Sequence, residues 1–194
     1  MKIKDTVFNK DRLFFTADTH FYHSNIIKYC ERPFDNKDLM NQAIIDNWNA
    51  KVKPGDTVFH LGDVSLGAKA SDIEELIGNL NGQIHLIIGN HDITLTASFL
   101  KASLWKGIYD IAEIFVPDDE VTYAEQHIVM CHYPMRTWNG SHRGSWQLFG
   151  HVHGVPMGGG PTQLDVGVDS HDFSPVSYQE VKELITKQHL KKEI

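Results

Sequence analysis

A chain of 194 residues with 41% hydrophobic and 22% charged side chains carries enough apolar material for a core and too little charge for a disordered polyelectrolyte. At this length folding buries on the order of 70% of the surface of the unfolded chain, so stability requires neither disulfides nor a structural metal. Lys and Arg number 18 against 25 Asp and Glu, a formal charge of -7, which excludes a broad basic face for nucleic acid while leaving local attraction open.

Arg12 to Ala17 reads as a strand running into a polar loop at Asp18. Asp35-Asn36 can cap a helix over Lys37 to Lys51, with Leu39, Ala43, Ile44 and Trp48 near helical spacing. Turn chemistry at Pro54-Gly55-Asp56 precedes a strand Thr57 to Leu61, and Ser71 with Glu74 suggests a capping box for a helix to Leu80. Ile84 to Ile88 is a third strand. Strands alternating with helices predict right-handed crossovers and a parallel sheet. A short helix at Leu95 to Ala102 then leads to an apolar run, Ile108 to Val116, read as one strand. A turn at Pro117-Asp118-Asp119-Glu120 follows, with strands near Val121 to Tyr123 and His127 to Met130 expected as antiparallel neighbours. Strands near Gln147 to Phe149 and Gln163 to Val168 come next, and Ser177 with Glu180 caps a last helix through Leu190. The pattern predicts two packed sheets flanked by helices. No linker, repeat or low-complexity tract divides it, so residues 1–194 read as a single domain.

Cys30 and Cys131 make no disulfide framework, the Met1-Lys2-Ile3-Lys4-Asp5 opening lacks the apolar run of a secretory signal, and no stretch approaches the ~20 apolar residues of a membrane span. The expectation is a cytoplasmic protein with reduced thiols and no membrane partner. The unusual count is 12 histidines. Several lie in blocks of metal-ligand residue types that follow strands: Asp18-Thr19-His20, Gly62-Asp63, Gly89-Asn90-His91-Asp92, Cys131-His132 and Gly150-His151-Val152-His153. Loops at the carboxyl ends of strands in α/β sheets converge on one crevice, which brings distant blocks together. Carboxylate, imidazole and amide donors with a single thiol nearby suit borderline divalent ions such as Mn, Fe, Zn, Ni or Co, whereas calcium would take more oxygens.

In this order the blocks resemble the signature of the calcineurin-like metallophosphoesterases, and the match spans Asp18 to His153 with no element missing. The resemblance implies an α/β fold, a four-layer αββα sandwich of two mixed sheets without a separate cap domain, around a pair of divalent ions, manganese first among the candidates. By motif position Asp18, His20, Asp63 and His153 would hold one ion, and Asp63, Asn90, His132 and His151 the other, with Asp63 the bridge. Two such ions would arm a bridging hydroxide against a phosphate ester. The resemblance also assigns His91 as general acid, with Asp92 to orient it; the plain alternative for Asp92 is a turn or helix-cap residue. His23 could wall the site or simply precede a helix capped by Ser24 or Asn25.

The excursion between His132 and His151 interleaves cations and tryptophans. Arg136, His142 and Arg143 are candidates for phosphate oxygens, and Trp138 or Trp146 for a base; the alternative is a surface loop packed by its tryptophans. His60 and His85 read as core or interface histidines, His127 and His189 as solvated, and His171 as a loop residue. Small members of the resembled family without an added domain look like phosphodiesterases, and because this chain has little length for a cap the resemblance implies phosphodiesters, including nucleotide or nucleic-acid substrates, over phosphomonoesters or phosphoproteins. A non-catalytic interaction module on the same fold is the rival from another class.

Overall fold

The structure is a computed structural model that describes residues 1–3, 6–92, 104–121, 123–157 and 159–192. The helix expected over Leu95 to Ala102 and the side chains of His189, Lys191 and Lys192 lie outside the described part. The elements are β1 (Leu13–Thr16), α1 (Ser24–Tyr29), α2 (Lys37–Lys51), β2 (Thr57–His60), α3 (Ala70–Gly78), β3 (Gln83–Ile87), β4 (Gly107–Tyr109), β5 (Ile111–Pro117), β6 (Glu125–Cys131), β7 (Trp146–Phe149), β8 (Gln163–Asp165), β9 (Val176–Ser177) and α4 (Tyr178–Lys192).

The strands form two mixed sheets. One has the order β4-β3-β2-β1-β9, parallel except for β9, and the other has the order β5-β6-β7-β8, parallel except for the β5–β6 pair. Alternation explains the layering. In β2, Phe59 faces the other sheet, joining Phe15, Leu61, Ile114, Ile128, Met130 and Leu148, while Val58 faces helices α2 and α3 with Ile44, Trp48, Ile73 and Leu76. Strand β5 exposes Ile111, Phe115 and Pro117 and buries Ala112, Ile114 and Val116, so its second face looks outward. α4 flanks the sandwich where β8 and β9 are edge strands and buries Tyr178, Val181 and Ile185 in the core between the sheets.

Several expectations hold to the residue. α2 spans Lys37–Lys51, and the Asn36 side chain accepts from the N–H groups of Asp38 and Leu39. At the start of α4, Ser177 N–H donates to Glu180 Oε2 and Glu180 N–H donates to Ser177 Oγ, the reciprocal pair of a capping box. Others are corrected. Helix α3 starts after Lys69 with no side-chain cap, and Ser71 lies inside it, bonded to Asp72. The buried face of α2 includes Met40 and Asn41 while Leu39 is exposed, because Asn41 Oδ1 is turned inward to accept from Tyr22 N–H in the loop after β1.

The run Ile108 to Val116 is not one strand. It breaks at Asp110: β4 pairs with β3 in the first sheet and β5 pairs with β6 in the second. Val121 to Tyr123 is no strand either. Hydrogen bonds from Asp118 N–H to Ala124 O and from Ala124 N–H to Val121 O make it the turn of the β5–β6 hairpin, with Thr122 outside the described residues. β8 stops at Asp165 and a single 3-10 turn, Val168–Ser170, follows. His127 is not solvated: it pairs with Glu113 at 3.0 Å and lies flat on Phe115, its cross-strand partner. No described helix is long and apolar enough to cross a membrane.

Candidate metal centre

The five blocks converge at the carboxyl ends of β1, β2, β3, β6 and β7. Asp18, His20 and His153 form one group of mutually close ligand atoms, and Asp63, His132 and His151 another. Asp63 reaches both: its Oδ2 lies 3.6 Å from His20 Nε2 and 3.5 Å from His132 Nε2. Asn90 Oδ1 stands 3.1 Å from His132 Nε2, which adds it to the second group.

The backbone is bent to bring these side chains inward. Ten described non-glycine residues have positive φ, and five of them belong to the blocks: Asp18 (56°), His20 (49°), Asp63 (56°), His151 (72°) and His153 (50°). Each such residue costs about 1 kcal/mol or more, strain that collects where function demands it. The glycines of the blocks permit close packing: a β-carbon on Gly89 would strike the Asp63 carboxylate, and one on Gly150 would strike that of Asp18. Asp92 serves the same end. Its buried carboxylate accepts from the backbone N–H groups of Asp63, Val64 and Gly89, which ties the loop after β2 to the loop after β3.

The electrostatics of the groups differ. Burial pushes the Asp18 carboxyl up to about 7 and the His20 imidazole down to about 2, so His20 is neutral, the form that ligates a cation. Burial also opposes ionisation of Asp63, but the His132 hydrogen bond and charge outweigh it and hold the carboxyl down to about 2. Asp18 Oδ1 and both ring nitrogens of His20 are buried with no hydrogen-bond partner. Orphaned buried polar atoms cost about 1–3 kcal/mol each, and a cation held among carboxylate and imidazole donors would satisfy Asp18 Oδ1 and one of the two His20 nitrogens. The residues present therefore fit a divalent ion. His132 Nδ1 lies 2.7 Å from Leu61 O, a second contact that orients a ligand ring.

Residues 12–155 match the calcineurin-like phosphoesterase family. The chain belongs to that family. Among its relatives, an uncharacterized protein of Methanocaldococcus jannaschii is 33% identical over 183 residues, covering 91% of this chain and 92% of that protein. The Gene 66 protein of Mycobacterium phage D29 is 26% identical over 89% of this chain and 95% of its own length. A crystal structure of a protein of unknown function from Aquifex aeolicus shares the fold at a TM-score of 0.66 and 24% identity, covering 89% of this chain and 98% of that one. Family membership makes phosphate esters the substrate class and divalent metal the cofactor class.

Of the expected substrate contacts, one lies at the centre. The His23 ring is 5.4 Å from that of His20 and 6.4 Å from that of His91, and its Nδ1 is buried without a partner. Two others, His142 and Arg143, do not gather there. β7 runs parallel to β6, so the excursion from Tyr133 to Ser145 returns along the outer face of the second sheet to the strands' amino ends. Arg136 is exposed on that face, beside Met135, which is bonded to Gln147 and Gln163. His142 and Arg143 occupy a 3-10 turn just before β7, and Arg143 lines a cavity of about 620 Å³ with Phe115, Tyr123 and His127, at the end of β6 away from His132. The tryptophans pack: Trp146 is buried against Tyr178, and Trp138 Nε1 donates to Ser145 O. His60 is buried on Thr19, His85 stacks on Phe59, and His171 Nε2 lies 2.7 Å from Asp165 O.

Three residues that the motif order leaves out stand beside the ligands. Tyr133 packs its ring on those of His132 and His151. Asp169 accepts from Arg32 and lies 2.8 Å from His153 Nδ1. Tyr133 could have been found as the neighbour of a motif histidine; Arg32 and Asp169, 137 positions apart, carry no local signal.

Proposed function

We propose that this chain hydrolyses phosphate esters at a two-ion centre and prefers phosphodiesters. The observation that carries the reading is Asp63, one carboxylate within 3.6 Å of a ligand nitrogen of each group. Asp18, His20, Asp63 and His153 would hold one ion, and Asp63, Asn90, His132 and His151 the other, with manganese the first metal to test and iron, zinc, nickel and cobalt after it. When bound, such a pair acidifies a water between the ions and clamps phosphoryl oxygens for in-line displacement. Two carboxylates cancel only half of the charge of two divalent ions, and neutral Asn90 and the imidazoles leave the remainder to attract an anion despite the acidic chain.

His91 is the acid for the leaving alkoxide. Its backbone N–H is fixed on Asp63 Oδ1, its ring sits 5.3 Å from that of His20, and it is 37% exposed, open toward an incoming ester. The diester preference is supported by exposure around the ligands: His151 and Tyr133 face solvent beside His91, which leaves room for a second ester substituent.

The test uses protein stripped of metal and reloaded with Mn²⁺, comparing bis-para-nitrophenyl phosphate with para-nitrophenyl phosphate. Faster diester turnover is expected, and turnover of the monoester alone would overturn the preference. His91→Ala should lower kcat about 10²–10⁴-fold with both ions still bound. Loss of an ion in that variant would make His91 a ligand instead.

A further inference from the structure

We infer that Arg32 and Asp169 are positioning residues for His153, fixing its tautomer and aim so that Nε2, and not Nδ1, is the nitrogen offered to the ion beside Asp18 and His20. The inference rests on the metal reading above and adds to it a support that no motif contains.

The geometry runs in one chain of contacts. Asp169 Oδ2 lies 2.8 Å from His153 Nδ1, which commits that nitrogen to a hydrogen bond and leaves Nε2 as the ligand atom. Arg32 grips the same carboxylate with two donors, Nε to Oδ1 at 2.7 Å and Nη2 to Oδ2 at 2.8 Å, the planar fork that matches a carboxylate. The guanidinium then reaches the other ligand strand: Nη2 donates to Asp18 O at 2.7 Å and Nη1 to Thr19 O at 3.0 Å. One buried cation thus ties the backbone of the loop after β1 to the side chain that orients a ligand from the loop after β7. The Arg32 side chain is fully buried, and Phe173 lies under it at 5.7 Å. The ring that results from this bracing stacks on His20 at 5.2 Å with 27° between planes.

A competing use of the same atoms is a separate ion held by Cys30, His153 and Asp169, whose ligand atoms are also mutually close. The Arg32 guanidinium argues against it. Both Asp169 oxygens already accept from Arg32, and a divalent ion placed there would sit against a buried positive charge. A carboxylate that holds the far nitrogen of a ligating imidazole is the arrangement expected of an outer support, and its loss costs about 10–100-fold in metal affinity.

The experiment has two arms. In nitrogen-labelled wild-type protein loaded with Cd²⁺, long-range proton–nitrogen spectra should show His153 protonated at Nδ1 and metal-bound at Nε2. In Asp169→Asn, titration with Mn²⁺ should show one ion weakened about 10–100-fold and the other bound as in the wild type. Arg32→Lys, which keeps the charge but not the fork, should shift the same ion in the same direction. His153 bound through Nδ1, or Asp169→Asn taking up both ions with unchanged affinity, would overturn the positioning role and leave the metal centre standing. Wild-type protein that takes up no Mn²⁺ would overturn the metal reading itself. Should Asp169→Asn not fold, the wild-type spectrum alone decides the tautomer.

Discussion

Two buried aspartates at opposite ends of the sandwich show what each end is for. Asp118, in the turn after β5, is saturated: it accepts from Lys10, the Glu120 N–H, Tyr178 and Lys182. Burial works against its charge, but the hydrogen bonds from Lys182, Tyr178 and Lys10 prevail and hold the carboxyl far below the usual carboxylate range. Asp18, just beyond β1, is as deeply buried, yet its Oδ1 has no partner, its φ is 56°, and burial raises its carboxyl to about 7. One end is paired for stability. The other is left incomplete, in the pattern expected where a protein trades stability for a site.

Substitutions at the two ends should therefore differ in kind. The largest effect is expected at the shared carboxylate: Asp63→Asn should abolish detectable diester turnover and weaken uptake of both ions together, read by metal titration. Full occupancy and affinity of one ion would end the bridging assignment. Next comes Asp118→Asn, which should destabilise the protein at neutral pH by about 2–3 kcal/mol in urea unfolding, because charge-assisted hydrogen bonds are lost. A carboxyl held below its ordinary value stabilises fully above about pH 4 and less as pH falls through the lower folded-state value. Loss of the Asp118 charge should accordingly flatten acid unfolding as well. Asp18→Asn should do the reverse, raising the stability of metal-free protein by about 1–2 kcal/mol while removing the turnover of Mn²⁺-loaded protein. A loss as large as that of Asp118→Asn would erase the contrast between the ends. The smallest effect is Ser177→Ala, about 0.5–1 kcal/mol from the lost cap of α4, with turnover unchanged.

How much of this was legible in the sequence depended on the range of the interaction. The α2 boundaries and the Ser177–Glu180 capping box are set by residues within three positions of one another, and local chemistry revealed them. The strands were found because apolar runs bounded by turn residues identify them, but an apolar run does not say which sheet it joins. Ile108 to Val116 is mostly apolar and carries two charged residues, Asp110 and Glu113, of which Asp110 is where the backbone leaves one sheet for the other and Glu113 lies within β5. Ser71 looked like a cap by type and spacing, yet the helix begins a turn's fraction earlier and uses it otherwise. At the site, the ordered blocks pointed to residues that the fold brings together. His142 and Arg143 lie away from the ligands because β7 runs parallel to β6 and the chain between them must return to the strands' amino ends. Asp92 was visible as a polar residue beside His91, whereas its three backbone partners come from loops on two different strands.

The switch at Asp110 has a mechanical meaning. β4 and β5 are edge strands of different sheets joined by one residue, and on the far side α4 packs where β8 and β9 are the edges. The two halves of the crevice, Asp18, Asp63 and Asn90 from one sheet and His132 and His151 from the other, are thus clamped along both flanks. Shear between the layers would have to stretch a covalent joint on one flank and tear a buried helix from the other, which makes the spacing of the ligands a property of the scaffold's closure.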